Sequence, residues 1–418
     1  MRRYAAMIGV PLLLLAVAFF LFTGTWMRQG TGVQKYSEYE YDSIPKIHIL
    51  IQPSDWKKIE EKRLEALQTG IHTGDGGEFV AAQIIAGGKL MTAEVRLKGD
   101  WVDHMIGSKW SFRIELKGGE TWQRKINFSV QSPDTRNYLA EWFFHQLLEE
   151  ADVLTTTFDF VVVTINHSNR GIYAWEEHFE KQLVESRNRR EGPVIKFSEE
   201  GLWQMRQIEA KTGKRLNTGR DAVESAEIRP FDEAAVFADT NRMKQFQVAA
   251  SLLQQYAYSN ATAAEVFDIH LLARFLVMTE LMRAYHGLYW HNLRFYYNPV
   301  TSLLEPISFD GDCDGDWKGW MKKGILPRGY FFGATPFRDI FKDEPGFEAL
   351  YFRYLDEYTS DVFLDRFFAK RKNAFEKRQE WISREFIGYR FDLEGFREHA
   401  RTIREKFVDP QRAQPGSG

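Results

Sequence analysis

Alternating apolar and polar positions dominate the first half of the chain, and longer helical periods dominate the second. Ile47-His48-Ile49-Leu50-Ile51 predicts a strand, and Pro53-Ser54-Asp55 opens a helix over Trp56 to Leu67 with Ser54 as N-cap. Short β-rich runs follow at Phe79 to Ile85, Thr92 to Leu97, Ser111 to Leu116 and Lys125 to Val130. Glycines separate them, with Asp75-Gly76-Gly77 as a turn, so they predict an antiparallel sheet. Leu139, Trp142, Phe143, Leu147 and Leu148 keep helical spacing. Phe158 to Ile165 reads as a buried strand, and Asn166 to Gly171 turns the chain back into Ile172-Tyr173-Ala174-Trp175. Glu199 to Tyr258 is mostly helical and polar, and Phe267 to Tyr285 is an amphipathic helix. Leu293 to Tyr297 and Leu304 to Phe309 predict a hairpin across Asn298-Pro299, and Phe347 to Arg404 is helical again. A β-rich half followed by a helical half predicts a two-lobed α+β architecture.

The N-terminus carries a different signal. Arg2 and Arg3 precede an uncharged run from Tyr4 to Met27, long enough at about 1.5 Å per residue to span a hydrocarbon core of roughly 30 Å. Two arginines ahead of it predict a cytoplasmic N-terminus and an exported remainder. A cleaved signal peptide is the alternative, but the run ends bulky, at Phe22 and Trp26, without a clean small-x-small site. An uncleaved anchor is the expectation, followed by a polar tether from Arg28 onward.

With 44% hydrophobic and 27% charged residues, the chain has the composition of a folded protein, and a net charge of −3 argues against a general nucleic-acid-binding surface. The single cysteine, Cys313, cannot form an intrachain disulfide. Aromatics make up 15% and are expected mostly in the core, with some lining a groove.

Candidate chemistry concentrates at Asp310-Gly311-Asp312-Cys313-Asp314-Gly315-Asp316, directly after the apolar run Glu305 to Phe309. Like charges this close repel unless a cation neutralises them, and a hard divalent ion held by oxygen is the simplest candidate. A solvated acidic turn is the bland alternative. Asp310, Asp312, Asp314 and Gly315 match the first half of an EF-hand loop, but its twelfth position would be Met321 rather than a bidentate Glu. Neither a P-loop nor a G-x-S-x-G motif is present. The polar loop His286 to Asn292, a hairpin, then an acid at the strand end is the layout of phosphoryl-transfer sites in which an Asn and an Asp share the metal.

At this point the sequence resembles the CotH kinase family, the spore-coat-protein-H-like atypical kinases. Leu97-Lys98-Gly99 resembles the family's early basic-Gly element, and Lys109-Trp110-Ser111-Phe112-Arg113-Ile114 its Lys-x-Ser-aromatic-Arg strand. Asn127-Phe128 with Asp134-Thr135-Arg136 resembles the strand and the helix start that follow. Asn166, Gly171, Tyr173 and Glu177 fit its hairpin, and Gly192 to Lys196 its Gly-x-hydrophobic-Lys element. Asn292 to Tyr297 and Pro306 to Asp312 fit the Asn-aromatic and metal strands. The resemblance implies a two-lobed protein-kinase-like fold binding ATP and Mg²⁺. It implies Asp310, Asp312 and Asn292 at the metal, Lys109, Arg113 and Lys196 at the phosphates, and Glu177 (with Glu141 as a second candidate) orienting one of these cations. The family generally places an Asp shortly before the Asn-aromatic strand as proton acceptor. Here His286 stands at the comparable place, with His291 nearer the Asn, and histidine can serve as a general base near neutral pH.

The expected organisation is a membrane anchor at 1–27, a linker at 28–45, a kinase-like domain at 46–400 divided near 198/199, and a tail at 401–418. The expected protein is single-pass in the cell membrane and transfers phosphate from ATP to a protein or surface-polymer hydroxyl. A catalytically degenerate scaffold for cell-envelope assembly is the alternative, and a calcium-stabilised surface protein a third reading. Partners would be the membrane, the substrate and a cell-envelope complex, with no nucleic acid.

Overall fold

Each β-rich run of the first half finds its neighbour in sequence order. Strands β1 (Lys46–Ile51), β2 (Val80–Ala86), β3 (Lys89–Leu97), β4 (Phe112–Leu116) and β5 (Asn127–Gln131) pair antiparallel in succession. The chain then leaves the sheet through a 3₁₀ turn at Pro133–Arg136, helix α1 (Leu139–Glu150) and a short strand, β6 (Leu154–Thr155). It returns as the hairpin β7 (Phe158–Ile165) and β8 (Ser168–Glu177). Strand β8 pairs with β5, and β7 runs parallel to β1 from Lys46↔Val162 to Ile49↔Ile165. That last pairing closes a seven-stranded barrel. Period-two alternation packs Ile47, Ile49, Ile84, Val95, Ile114, Phe128 and Val130 into its core. The computed structural model describes residues 43–72, 79–214, 220–313, 317, 325–328 and 334–412.

The remaining strands, β9 (Val194–Phe197), β10 (Ile228–Pro230), β11 (Arg294–Asn298) and β12 (Leu303–Ser308), form a second sheet in the order β10-β9-β11-β12-β6. The expected hairpin is therefore present as β11 and β12, in register from Arg294↔Ile307 to Asn298↔Leu303. The expected two-lobed kinase-like fold is not. A closed barrel stands where the β-rich lobe of a kinase-like fold was expected, and the second sheet joins strands from both halves of the chain. Local patterning reports strands but not closure, because the β1–β7 and β9–β11 pairings join segments about a hundred residues apart.

The expectation of a single-pass membrane protein with an exported domain is also corrected. Among the described residues no helix is long and apolar enough to cross a membrane. Helix α2 (Ile269–Met282) is apolar but only 14 residues long, against roughly 20 needed, and helix α3 (Asp361–Glu385) is long but heavily charged. The run from Tyr4 to Met27 lies outside the described residues.

Two contacts lock helix α3 to the barrel. Arg378 forms a bidentate pair with Asp159 on β7 (Nε–Oδ1 2.9 Å, Nη2–Oδ2 2.6 Å). At the helix end, Glu385 accepts from the Ile172 amide at 2.6 Å and from Lys109 at 2.6 Å. Gly171, at φ +79°, is where that carboxylate approaches the backbone, and an added Cβ would lie 2.3 Å from Glu385 Oε2.

Buried in α2, Glu280 accepts from Tyr285 Oη (2.5 Å), Tyr351 Oη (3.1 Å) and the Leu326 amide (2.9 Å). Burial pushes its pKa up to about 7, against the lowering effect of those donors and Arg283. A raised folded-state pKa favours the protonated form, so this stabilisation is complete below the ordinary glutamate value and is lost as pH rises through about 7. The wild-type melting temperature should therefore fall between pH 5 and 8 more steeply than that of Glu280→Gln. Parallel melting curves across that range would exclude this account.

Candidate active site

The acidic segment begins where β12 ends. Asp310 and Asp312 both adopt left-handed backbone (φ +53° and +44°), which Asp tolerates better than most side chains. Gly311 between them has no room for a side chain, since a Cβ would sit 2.8 Å from Phe144 and 3.0 Å from Ala284. Its amide donates to Glu141 Oε1 on α1 at 3.0 Å. Non-glycine residues held in this region store strain, and such strain gathers at functional sites.

Asp310 is neutralised from within the chain. Arg136 Nε lies 2.5 Å from Asp310 Oδ1. Burial alone would raise this carboxyl, but Arg136 first, then His286, His104 and Lys98, hold it down at about 2. His286 Nδ1 is 3.0 Å from the Asp310 carbonyl and 3.5 Å from Oδ2. Asn292 Nδ2 donates to the His286 carbonyl at 3.0 Å and sits 3.2 Å from Nδ1, so the amide fixes the imidazole. Asp312 accepts from Asn137 Nδ2 at 3.3 Å, and its pKa is raised by burial and by Glu141 and Asp310. The segment thus brings Asp310, Asp312, Asn292 and His286 together. Asp314 and Asp316 lie outside the described residues.

Opposite the acids stands a group of cations from both sheets. The barrel register sets Arg96 directly across from Arg113, Arg113 across from Ser129, and Ser129 across from Glu176. Lys98 directly follows β3 and donates to Glu176 Oε2 at 2.9 Å and to Gln131 Oε1 at 3.0 Å. On the second sheet Lys196 lies across from Arg294, whose Nη2 donates to Glu199 at 3.0 Å. Like charges directly opposite each other on paired strands are destabilising. Two such pairs meet here around His178, whose pKa is driven well down by burial and then by Arg113, Lys196, Lys98 and Arg294. Burial, then Arg96, lowers Arg113 to about 10. The Nε atoms of Arg113 and Arg294 are both buried without a hydrogen-bond partner.

Two sequence candidates are engaged elsewhere. Lys109 bonds Glu385 and the Ile172 carbonyl (2.8 Å) and faces the rings of Tyr173 and Phe386. Glu177 is held by Lys125, by Arg187 at 3.3 Å and by Thr157 Oγ1 at 2.7 Å. Its neighbour Glu176 faces the cation row instead. Local sequence carried no signal for this choice, because it is register with Arg113 through Ser129 that selects 176 rather than 177.

Past His286 an open cleft of about 1570 Å³ runs along Tyr289, Trp290 and His291, with Trp101 and Trp203 on its wall. The two tryptophans meet edge to face at 5.5 Å. His291 Nδ1 is buried without a partner, and burial lowers this imidazole to about 4, so it is neutral at physiological pH. Asp100, next to Trp101, is raised to about 7 by burial and by Glu199, against Arg96 and Lys196.

A family model described as CotH kinase protein matches residues 95–384, most of the chain. The chain belongs to the CotH kinase family. No curated protein matches it. The family match begins on β3, just before Lys98, and ends at Arg384, beside the Glu385 anchor, so it takes in both cation pairs and the Asp310 turn. Membership supports a kinase-like function in general and, with it, general use of ATP and a divalent ion.

The donor set suits Mg²⁺ better than a self-sufficient metal cage. Among the described residues no group of three or more His, Cys, Asp or Glu side chains could hold a metal alone. Mg²⁺ at phosphoryl-transfer sites is ordinarily held by one or two carboxylates together with substrate phosphates. Asp310 and Asp312 would supply two, and Asp310 Oδ1 is buried with no hydrogen-bond donor.

Proposed function

We propose that this CotH family member transfers the terminal phosphoryl group of ATP to a hydroxyl on a protein or surface polymer. The observation that carries the reading is the meeting of two like-charged cross-strand pairs, Arg96 with Arg113 and Lys196 with Arg294, beside Asp310. Glu176 and Glu199 lie among these cations, and a chain of phosphates is a ligand that fits basic groups presented together from two sheets. Lys98, oriented by Glu176, and Arg113 are assigned to the phosphates, and Lys196 and Arg294 approach them from the second sheet. Asp310 and Asp312, with the Asn292 amide, would hold Mg²⁺, which when bound supplies charge neutralisation of the transferring group. His286 is aimed by Asn292 and opens on the cleft, so it is assigned to take the acceptor proton, with the neutral His291 as the neighbouring candidate. The cleft exceeds the 300–1,000 Å³ usual for small-molecule sites, which favours an extended acceptor.

Transfer of labelled phosphate from ATP to the protein itself or to a generic acceptor tests the reading, with Asp310→Ala as control. Equal labelling of the two proteins refutes it. Lys98→Met should raise the KM for ATP by ~10- to 100-fold, the loss of one charge-assisted hydrogen bond. ATP and Mg²⁺ that stabilise the fold without any transfer would instead favour the scaffold reading, for which the lack of an Asp among residues 286–292 is the motive.

A further inference from the structure

Two arginine–aspartate pairs in this protein are built differently. Arg378 and Asp159 make two directed hydrogen bonds, as expected of a structural clamp. Arg136 and Asp310 are closer in charge, at 2.5 Å, yet the geometry gives no hydrogen bond, and Asp310 Oδ1 remains without a donor. The guanidinium neutralises this carboxylate without satisfying it. Arg136 Nη1 meanwhile donates to the neighbouring Thr135 carbonyl at 2.6 Å.

Its position is intermediate. Arg136 comes from the 3₁₀ turn that precedes α1, pinned by the Tyr138 amide on the Pro133 carbonyl at 2.8 Å, so its backbone is held while its stem is long. On one side it faces the acids Asp310, Asp312 and Glu141, and on the other it adds to the field that Lys98 and His104 feel. A hard divalent ion on Asp310 would place a second positive charge against it, at a distance where like charges repel strongly.

We propose that Arg136 is a displaceable counter-ion: it neutralises Asp310 in the resting protein, yields that carboxylate to the divalent ion, and is thereby released to the nucleotide phosphates beside Lys98 and Arg113. This inference rests on the reading of Asp310 as a metal ligand. It explains how the acidic turn is tolerated without metal, and it makes metal and nucleotide bind cooperatively through one side chain.

The experiment titrates Mn²⁺ against wild type, Arg136→Met and Asp310→Asn without nucleotide, and separately titrates ADP at saturating Mn²⁺, where Arg136 is released. With the competing charge gone, Arg136→Met should bind Mn²⁺ ~10-fold or more tightly than wild type, and ADP ~10-fold more weakly. A merely structural role would not move the two affinities in opposite directions. Equal Mn²⁺ affinity in wild type and Arg136→Met, both abolished in Asp310→Asn, overturns the counter-ion role and leaves the metal reading standing. Mn²⁺ binding that ignores Asp310→Asn overturns the metal reading and the counter-ion role with it, and Mn²⁺ binding that fails in every protein, Arg136→Met included, overturns the counter-ion role alone. Should circular dichroism show Arg136→Met unfolded, Arg136→Gln, which removes the charge but keeps part of the stem and an N–H donor, carries the same two expectations.

Discussion

Replacing Asp310 with alanine should abolish phosphoryl transfer and also weaken the fold by about 3 kcal/mol, because it strips a buried arginine of its ion-pair partner. The pair is nearly closed to solvent, with side chains 14% and 11% exposed, so little screening softens the loss. These two effects separate in the double variant Asp310→Ala with Arg136→Met. Removing both charges should recover most of the stability and none of the transfer, since partners in contact are expected to couple. Chemical denaturation gives the first quantity and labelled-phosphate transfer the second. If Asp310→Ala unfolds no more easily than wild type, the pair contributes nothing. If it still transfers phosphate at the wild-type rate, the proposed site is wrong.

Lysine 109 is expected to behave in the opposite way from Lys98. Its ammonium sits against Glu385, a carboxylate with 3% of its side chain exposed, and also donates to the Ile172 carbonyl. Lys109→Met should therefore cost about 3 kcal/mol of stability while leaving the ATP affinity of the folded protein unchanged. Lys98→Met should do the reverse, weakening ATP binding with a smaller effect on unfolding, because Glu176 keeps the Thr156 hydroxyl at 3.2 Å as a partner. Denaturation midpoints read beside nucleotide titrations of both variants decide the matter. A loss of ATP binding in Lys109→Met without loss of stability would return that residue to the site.

The two lysines show why motif reading stops short. Both stand in family-like segments, eleven residues apart, and each precedes a β-rich run or ends one. Nothing local distinguishes them. Lys98 directly follows β3, which pairs with the strand carrying Arg113, and it reaches Glu176 on β8, whereas Lys109 meets a helix terminus nearly 280 residues later in the chain. Similarly, Glu176 and Glu177 are adjacent and chemically alike, and only the pairing of β5 with β8 tells which one faces the cations. Arg136 was visible within a family-like segment, but its contact with Asp310 joins residues on separate elements.

Some features needed nothing beyond local chemistry. The β11–β12 hairpin follows from two short apolar runs around Asn298-Pro299, and the crowding of acids after Phe309 is plain in the residue order. Family membership is likewise carried by ordered short motifs. Barrel closure, the shared second sheet and the neutralisation of Asp310 by an arginine rather than by an ion alone were settled by contacts between distant segments. Periodicity and residue type act over a few positions, while strand register and buried charge pairing are set by which surfaces the folded chain brings face to face.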